Sequence, residues 1–349
     1  MSIMDLQRLV RPNIWNLRPY SSARSEFVGK AQVLIDANES PFNEPYNRYP
    51  DPLQRQLKSR LAEMKGVAEE HIFLGVGSDE CIDLAFRIFC EPAVDNVVAI
   101  APTYGMYEVC ADINNVEYRP VQLNENFAID VGRVIAACDR HTKIVWLCSP
   151  NNPTGNAFAL GDMLDVCRRF DGIVVVDEAY VNFSSEGSML RYLADCPNLI
   201  VLQTFSKALA SASVRLGMAF ANAGIIDLYN KVKYPYNINL LTQQYALELL
   251  GRVDEIADEV AHVIACRDEL AGELRQLRCV QRVYRSDANF LLVRVGDADG
   301  LYEYLLGQGI VVRNRSRVPM CNGCLRFTVG CREENELLIK ALKEYDRQI

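Results

Sequence analysis

Between residues 31 and 240, short apolar runs alternate with stretches of helical periodicity. The clearest runs, several of them rich in β-branched residues, occupy positions 97–100, 144–147, 173–176, 199–202 and 217–220. Continuously apolar runs predict strands buried on both faces, and such strands separated by helices are typical of a mostly parallel sheet. The pattern therefore predicts a large α/β domain over residues 31–240.

The chain beyond residue 240 has a different pattern. A long amphipathic helix is predicted by apolar residues at helical spacing, at positions 256, 260, 263, 264, 270, 274 and 277. Further strands are predicted around 289–293, 310–312 and 325–329, with helices between the first two and at the end of the chain. We expect a smaller C-terminal α+β domain over residues 241–349. The irregular residues 1–30 are predicted to form an arm that packs with the small domain.

Charge and composition favour an enzyme that acts on small molecules. The 349 residues carry a net charge of −8 with acidic and basic residues interleaved, which argues against a nucleic-acid partner. The sequence has no apolar segment long enough to cross a membrane and no signal-peptide pattern, so a cytoplasmic protein is expected. Many of the 12 cysteines lie in apolar segments and are predicted to be reduced. One Cys-x-x-Cys pair, Cys321 and Cys324, has no second pair, and three scattered histidines predict no metal site.

Three polar segments follow predicted strands of the large domain. They are Ser149-Pro-Asn-Asn-Pro-Thr-Gly155, Asp177-Glu-Ala-Tyr180 and Thr204-Phe-Ser-Lys-Ala208. Because ligands of open α/β sheets bind beyond the carboxyl ends of the strands, we expect these segments to share one site. A fourth segment, Gly75-Val-Gly-Ser-Asp-Glu80, follows a strand and begins a helix, which predicts an anion site. A dinucleotide-binding fingerprint is the alternative, and Glu80 in place of its last glycine argues against it.

With these segments the chain resembles the fold-type I aminotransferases, which depend on pyridoxal 5′-phosphate (PLP), and among them the histidinol-phosphate aminotransferases. The resemblance implies the PLP-dependent transferase fold, with a large, mostly parallel sheet domain and a smaller α+β domain. The resemblance covers almost the whole chain. Its other motifs are Asn16-Leu-Arg-Pro-Tyr20, Asp36-Ala-Asn-Glu39, Asn47-Arg-Tyr-Pro-Asp51, Pro102-Thr-Tyr-Gly-Met-Tyr107 and Leu325-Arg-Phe-Thr-Val-Gly330.

The resemblance implies a role for each residue at the cofactor. Lys207 is expected to bind PLP covalently and to act as the base that moves the substrate Cα proton. Asp177 is expected to pair with the pyridine N–H, while Asn152 and Tyr180 bind the ring oxygen. Further cofactor contacts are implied for Ser78, Asp79, Tyr104, Ser206, Arg215 and, from a neighbouring subunit, Tyr49. Taken singly, these residues also have ordinary explanations, such as a surface lysine for Lys207 or a helix cap for Asp177.

The resemblance also implies how an anionic substrate is held. Arg326 matches an arginine that grips the acidic group of the substrate, and Arg313 matches a second arginine of the histidinol-phosphate enzymes. The planar guanidinium suits both carboxylate and phosphate, although a surface arginine is the alternative for each. Other implied substrate contacts come from Tyr20, Asn38, Tyr49 and Asn152. Since Tyr49 would cross to the neighbouring subunit, a homodimer with shared active sites is expected.

The implied reaction is transfer of the amino group of L-histidinol phosphate to 2-oxoglutarate, in histidine biosynthesis. Its products would be imidazole-acetol phosphate and L-glutamate. Alternatives are a threonine-phosphate decarboxylase, an aromatic amino acid aminotransferase, or a regulator or binding protein of the same fold. One departure from the family is Ser213, which replaces a glycine two residues before Arg215. If that turn requires a positive φ, the serine is predicted to strain it.

Overall fold

A computed structural model describes residues 6–21 and 31–348. Seven strands of the large domain form one sheet in the order β1-β7-β6-β5-β4-β2-β3. Strand β7 is antiparallel to its neighbours β1 and β6, and the other pairings are parallel. The strands are β1 (Ile72–Val76), β2 (Asn96–Ala101), β3 (Glu117–Gln122), β4 (Thr142–Cys148), β5 (Ile173–Asp177), β6 (Leu199–Thr204) and β7 (Leu216–Ala221).

Helices cover both faces of this sheet. Val174 and Val176 of β5 belong to one hydrophobic core, while Ile173 and Val175 belong to the core on the opposite face. This alternation explains why β5 is apolar at consecutive positions. The helices are α3 (Arg55–Lys65), α4 (Gly77–Phe89), α5 (Met106–Ile113), α6 (Val131–Ala136), α7 (Leu160–Arg169) and α8 (Ala223–Val232).

The described part of the N-terminal arm packs on the large domain. It contains two short helices, α1 (Leu6–Leu9) and α2 (Pro12–Trp15). Leu9, Val10 and Ile14 join the core that contains α4 and α8, and Arg11 Nε lies 3.1 Å from a carboxylate oxygen of Glu91. The buried side chains of the arm, Leu9, Val10 and Ile14, therefore belong to a core of the large domain, whereas the sequence predicted packing with the small domain.

The C-terminal part contains the long helix α10 (Val253–Leu274) and a four-stranded antiparallel sheet in the order β10-β11-β9-β8. The strands are β8 (Val280–Val283), β9 (Phe290–Val295), β10 (Arg313–Asn314) and β11 (Cys324–Thr328); the helices α11 (Ala298–Gly307) and α12 (Arg332–Asp346) complete the domain. The strand predicted at 310–312 forms instead at Arg313–Asn314.

Helix α9 (Leu240–Leu249) precedes α10 and belongs with the large domain by its packing. Its residues Ala246 and Leu249 share a hydrophobic core with Leu57 and Leu61 of α3. The division between the domains therefore falls after α9 and not at residue 240. The same core extends to Phe290 and Leu292 of β9, so the small sheet packs against the large domain.

Candidate active site

A pocket of about 450 Å³ opens at the carboxyl ends of β4, β5 and β6, next to the small sheet. The sheet order makes these three strands neighbours, so their polar segments meet as predicted. The pocket contains every predicted site residue except Tyr20, Asn38 and Tyr49. It is lined by Ser78, Asp79, Tyr104, Cys148, Asn152, Asp177, Ala179, Tyr180, Thr204, Ser206, Lys207, Ala212, Arg215, Arg313, Arg315 and Arg326.

Asp177 ends β5 and is only 2% exposed. Its Oδ2 accepts a hydrogen bond of 2.7 Å from the Tyr107 hydroxyl, and its Oδ1 accepts one of 3.1 Å from the Ala179 N–H. Burial raises the pKa of Asp177, and these two hydrogen bonds oppose the rise. Among residues 6–21 and 31–348 no ion pair joins Asp177 to a basic side chain, and such a buried carboxylate suits a ligand that presents a positively charged N–H.

Lys207 follows β6 and faces the same pocket. Its Nζ lies 5.5 Å from the centre of the Tyr180 ring. Burial lowers the pKa of Lys207, and the charge of Arg326 lowers it further, while Asp177 acts in the opposite direction. A lowered pKa increases the neutral fraction of the amine, which a nucleophile or a general base requires.

Asn152 connects the large domain to the small sheet. Its Nδ2 donates to the Tyr180 hydroxyl oxygen at 3.4 Å, and its Oδ1 accepts a hydrogen bond of 2.6 Å from Nη1 of Arg326. The Tyr180 ring in turn meets the Phe290 ring edge-on, with centroids 5.2 Å apart. The segments that follow β4 and β5, together with Arg326 of β11, therefore form one wall of the pocket.

The start of α4 and Arg215 form the opposite end of the pocket. Asp79 accepts hydrogen bonds from the Tyr104 hydroxyl at 3.2 Å and from Nη2 of Arg215 at 3.1 Å. Gly77 has a φ of +72°, and a Cβ added there would lie 2.6 Å from Nη2 of Arg215. A glycine is therefore needed for the arginine to lie against the helix start, where backbone N–H groups attract anions.

The predicted strain at Ser213 is absent. The residues with positive φ in this turn are Ala210, at 47°, and Arg215, at 55°, and Ser213 is not among them. Ser213 lies inside a short 3₁₀ turn, Ala212–Val214, so its side chain needs no unusual backbone conformation.

Several residues of the site were not singled out from the sequence, namely Tyr107, Cys148, Thr204 and Arg315. Tyr107 reaches Asp177 across 70 positions of the chain, which no local pattern reveals. Arg315 had a signal, because it lies two positions after Arg313 in an extended segment, where side chains alternate between the two sides.

Three predicted residues lie away from the pocket of their own chain. Tyr20 is 74% exposed. Asn38 and Tyr49 line a second depression of about 480 Å³, together with Asn239 and Leu241. The Tyr49 ring stacks on Tyr236 with centroids 4.4 Å apart.

Within residues 6–21 and 31–348, no group of three or more His, Cys, Asp or Glu side chains is arranged to hold a metal ion. The same residues form no helix that is long and apolar enough to cross a membrane. All twelve cysteines are free thiols, and all but Cys138 and Cys331 are buried.

The pocket fits PLP by the chemistry of its donors. It offers a partly buried amine at Lys207 for covalent attachment and a buried acid at Asp177 for a ring N–H. The start of α4, Ser206 and Arg215 offer donors for a phosphate. Tyr104 supplies an aromatic ring between these two ends, held by its hydrogen bond to Asp79.

Comparisons with known proteins agree with this chemistry. The family model described as aminotransferase class I and II matches residues 26–342. The chain is 55% identical over 341 residues to a histidinol-phosphate aminotransferase of Bacteroides thetaiotaomicron, covering 97% of this chain and 99% of the relative. It is 56% identical over 339 residues to one of Parabacteroides distasonis, covering 97% and 98%. The crystal structure of the histidinol-phosphate aminotransferase from Clostridium acetobutylicum has a TM-score of 0.81 at 24% identity, over 87% of this chain and 92% of that one, a likeness of fold.

Proposed function

Because this chain belongs to the class I and II aminotransferases, which use PLP, we propose that its amino donor is L-histidinol phosphate. The amino acceptor would be 2-oxoglutarate, and the products imidazole-acetol phosphate and L-glutamate, as a cytoplasmic step of histidine biosynthesis. One observation carries the proposal: Arg313 and Arg326 line the Lys207 pocket, and neither forms an ion pair with a carboxylate among the described residues. Such a pocket suits a substrate that carries both an amine and an anion.

Each residue of the pocket has a distinct task. PLP, when bound, supplies an electron-accepting ring next to the substrate carbon that carries the amine. Lys207 would hold the cofactor covalently and, once released, move the proton of that carbon with its neutral amine. Asp177 would keep the ring nitrogen protonated through a charge-assisted hydrogen bond that its buried carboxylate accepts. Asn152 and Tyr180 would orient the ring oxygen, and Ser78, Asp79, Ser206 and Arg215 would fix the phosphate end.

The arginines distinguish the proposed donor from the alternatives. Burial lowers the pKa of Arg326 and the charge of Arg313 also lowers it, while Tyr180 acts in the opposite direction, so the guanidinium groups of Arg313 and Arg326 are close enough to interact. An anionic group of the substrate would relieve this repulsion. The carboxylate of an aromatic amino acid carries one charge, whereas a phosphate monoester carries up to two, so an aromatic amino acid would pair the arginines less completely. The names of the relatives also favour transamination of histidinol phosphate over decarboxylation of threonine phosphate.

The same proposal includes a homodimer in which Tyr49, Asn38 and Tyr20 act on the partner's pocket. Two features of the described residues support it. Asn38 and Tyr49 line a depression separate from the Lys207 pocket. In addition, the surface around that depression exposes large apolar side chains, which a monomer rarely does over a wide area. They are Val33, Ile35, Phe42, Tyr46, Tyr49, Tyr234, Leu241 and Tyr245.

A half-reaction assay tests the donor. The purified PLP enzyme is mixed with one amine at a time, and the absorbance of the lysine-bound cofactor is followed. Histidinol phosphate should convert the cofactor to its amine form with release of imidazole-acetol phosphate, and 2-oxoglutarate should restore it. L-Histidinol, which lacks the phosphate, should react at least ~10²-fold more slowly, because buried arginines are left unpaired.

Threonine phosphate, phenylalanine and tyrosine complete the panel of amines. Release of carbon dioxide from threonine phosphate, without transfer of its amine, would replace the proposal by a decarboxylase. Equal rates with and without the phosphate of histidinol phosphate would also contradict it, and would leave the PLP site unaffected.

A further inference from the structure

We infer that Arg315 is a specificity-determining residue, which completes a three-arginine wall with Arg313 and Arg326 and selects a phosphate over a carboxylate at that end of the pocket. The inference rests on the proposed function, since it assigns to Arg315 the recognition of the phosphate group of the amino donor. The three side chains line the pocket that contains Lys207. Arg313, Arg315 and Arg326 together form an arginine wall.

The backbone places the arginine wall on one side of the small sheet. Arg313 of β10 is paired with Arg326 of β11, so these residues are direct cross-strand neighbours. Just beyond β10, the Arg315 N–H donates a hydrogen bond of 2.9 Å to the carbonyl oxygen of Cys324. The intervening Asn314 points elsewhere, because its Nδ2 donates to a carboxylate oxygen of Asp299 at 2.6 Å. The alternation along this segment therefore directs Arg313 and Arg315 to the same side.

No protein carboxylate neutralises the wall. Among residues 6–21 and 31–348, no ion pair joins Arg313, Arg315 or Arg326 to an acidic side chain. The Nε atoms of Arg315 and Arg326 are buried without a hydrogen-bond partner. By contrast, Arg215 at the other end of the pocket is paired with Asp79 at 3.1 Å. The unpaired donors are thus confined to the side of the pocket opposite the expected cofactor phosphate.

The pKa of Arg315 depends on the charges of the other two arginines. Burial and, after it, the charges of Arg326 and Arg313 together lower the pKa of Arg315 to about 10. Three like charges at close range are unfavourable while the pocket lacks an anion, so the wall favours a ligand with high negative charge.

The number of arginines matches a phosphate better than a carboxylate. A phosphate monoester presents three terminal oxygens and up to two negative charges, whereas a carboxylate presents two oxygens and one charge. Each guanidinium donates two parallel hydrogen bonds. A carboxylate can be saturated by Arg313 and Arg326, and a phosphate has the additional oxygen and charge that Arg315 can bind.

The test compares Arg315→Gln and Arg315→Lys with the matched control Arg317→Gln. Arg317 lies two residues further along the same loop, is exposed, and does not line the pocket. For Arg315→Gln we expect kcat/KM for histidinol phosphate to fall by roughly 10- to 100-fold, mostly through KM, because the contact is made before and during the reaction. In the same variant, kcat/KM for L-histidinol should fall by no more than about threefold, because this donor has no phosphate for Arg315 to bind. In Arg315→Lys, the ratio of kcat/KM for histidinol phosphate to kcat/KM for L-histidinol should lie between those of wild type and Arg315→Gln. Lysine keeps the positive charge but lacks the planar guanidinium.

The ratio of the two donors separates specificity from a structural role. If Arg315 only stabilises the loop, kcat/KM falls by the same factor for both donors. Their ratio then stays at the wild-type value, which would overturn the inference. The inference would also be overturned if Arg315→Gln kept normal activity and the wild-type ratio of kcat/KM for the two donors. Arg317→Gln should keep the wild-type ratio.

A second measurement keeps the inference separate from the proposed function. Inorganic phosphate is used as a competitive inhibitor of cofactor amination by L-glutamate in the same PLP enzyme. Arg315→Gln should weaken this inhibition about fivefold or more, and Arg317→Gln should not change it. If the wild-type enzyme does not use histidinol phosphate, only the proposed function is contradicted. If phosphate inhibits wild type and Arg315→Gln with equal inhibition constants, only the inference about Arg315 is contradicted.

Discussion

The hydroxyl group of Tyr107 donates a hydrogen bond of 2.7 Å to Oδ2 of Asp177 in the interior of the large domain. The tyrosine is fully buried, and its ring stacks on Trp146 with centroids 4.8 Å apart. The position of the Asp177 carboxylate is therefore fixed from behind by a rigid aromatic side chain.

The first prediction is that Tyr107→Phe lowers kcat about tenfold and moves the acid limb of its pH profile to higher pH. The hydrogen bond from Tyr107 lowers the pKa of Asp177 against the effect of burial. Without it the pKa rises further, so the ionised form and the activity are lost at a higher pH as the pH falls. The measurement is kcat as a function of pH.

Tyr229→Phe is the matched control for this variant. Tyr229 is buried in the same core, and its hydroxyl donates to the carbonyl oxygen of Cys81 instead of a site residue. Its substitution should lower the free energy of unfolding by about 1 kcal/mol and leave the pH profile in place. The same shift in both variants would assign the effect to core packing.

The second prediction concerns Asp177 itself. Asp177→Asn should keep the fold and the bound cofactor, and lose at least ~10²-fold in kcat, because the amide cannot keep the ring nitrogen protonated. Asp95→Asn is the control, since Asp95 is also buried and accepts a backbone hydrogen bond, from Glu91, away from the pocket. Near-normal turnover of Asp177→Asn would mean that this carboxylate serves only the local turn.

The sequence predicted those parts of the fold that local patterns specify. The central strands are apolar at consecutive positions because both of their faces are buried. Strand β3 was missed because it lies at the sheet edge and contains the exposed residues Glu117 and Pro120 and the half-buried Arg119. The arm was expected on the small domain because nothing in residues 6–21 indicates that Leu9, Val10 and Ile14 join a core of the large domain.

The same limit applies to the site. Asp177 ends a strand, and Lys207 and Asn152 lie in the segments that follow two others. The rule that ligands bind at the carboxyl ends of strands therefore predicted that the three share one site. Tyr107 acts through a contact that only the folded chain creates. Tyr20, Asn38 and Tyr49 do not line the Lys207 pocket of the same chain, and under the proposed homodimer they would act on the pocket of a neighbouring subunit.

The third prediction tests that neighbouring subunit. Chains with Lys207→Ala are mixed with chains that carry a strongly impaired Tyr49 substitution, after unfolding and refolding together. If Tyr49 completes the partner's pocket, each mixed dimer has one site with both residues. It should then recover up to about half of the activity of a wild-type dimer, by counting sites in a symmetric pair. Activity equal to the sum of the two parents would show that Tyr49 serves its own chain.

The most direct test of the whole account is to locate the covalent bond to the cofactor. The PLP enzyme is reduced with borohydride and digested, and the pyridoxyl-bearing peptide is identified by mass spectrometry. Lys58 and Lys233 make this test discriminating, because burial lowers the pKa of each to about 8 and so provides competing neutral amines. We predict the adduct on Lys207 alone, and its loss in Lys207→Ala together with all turnover. An adduct on Lys58, Lys233 or any other lysine would contradict the assignment of this pocket as the catalytic centre.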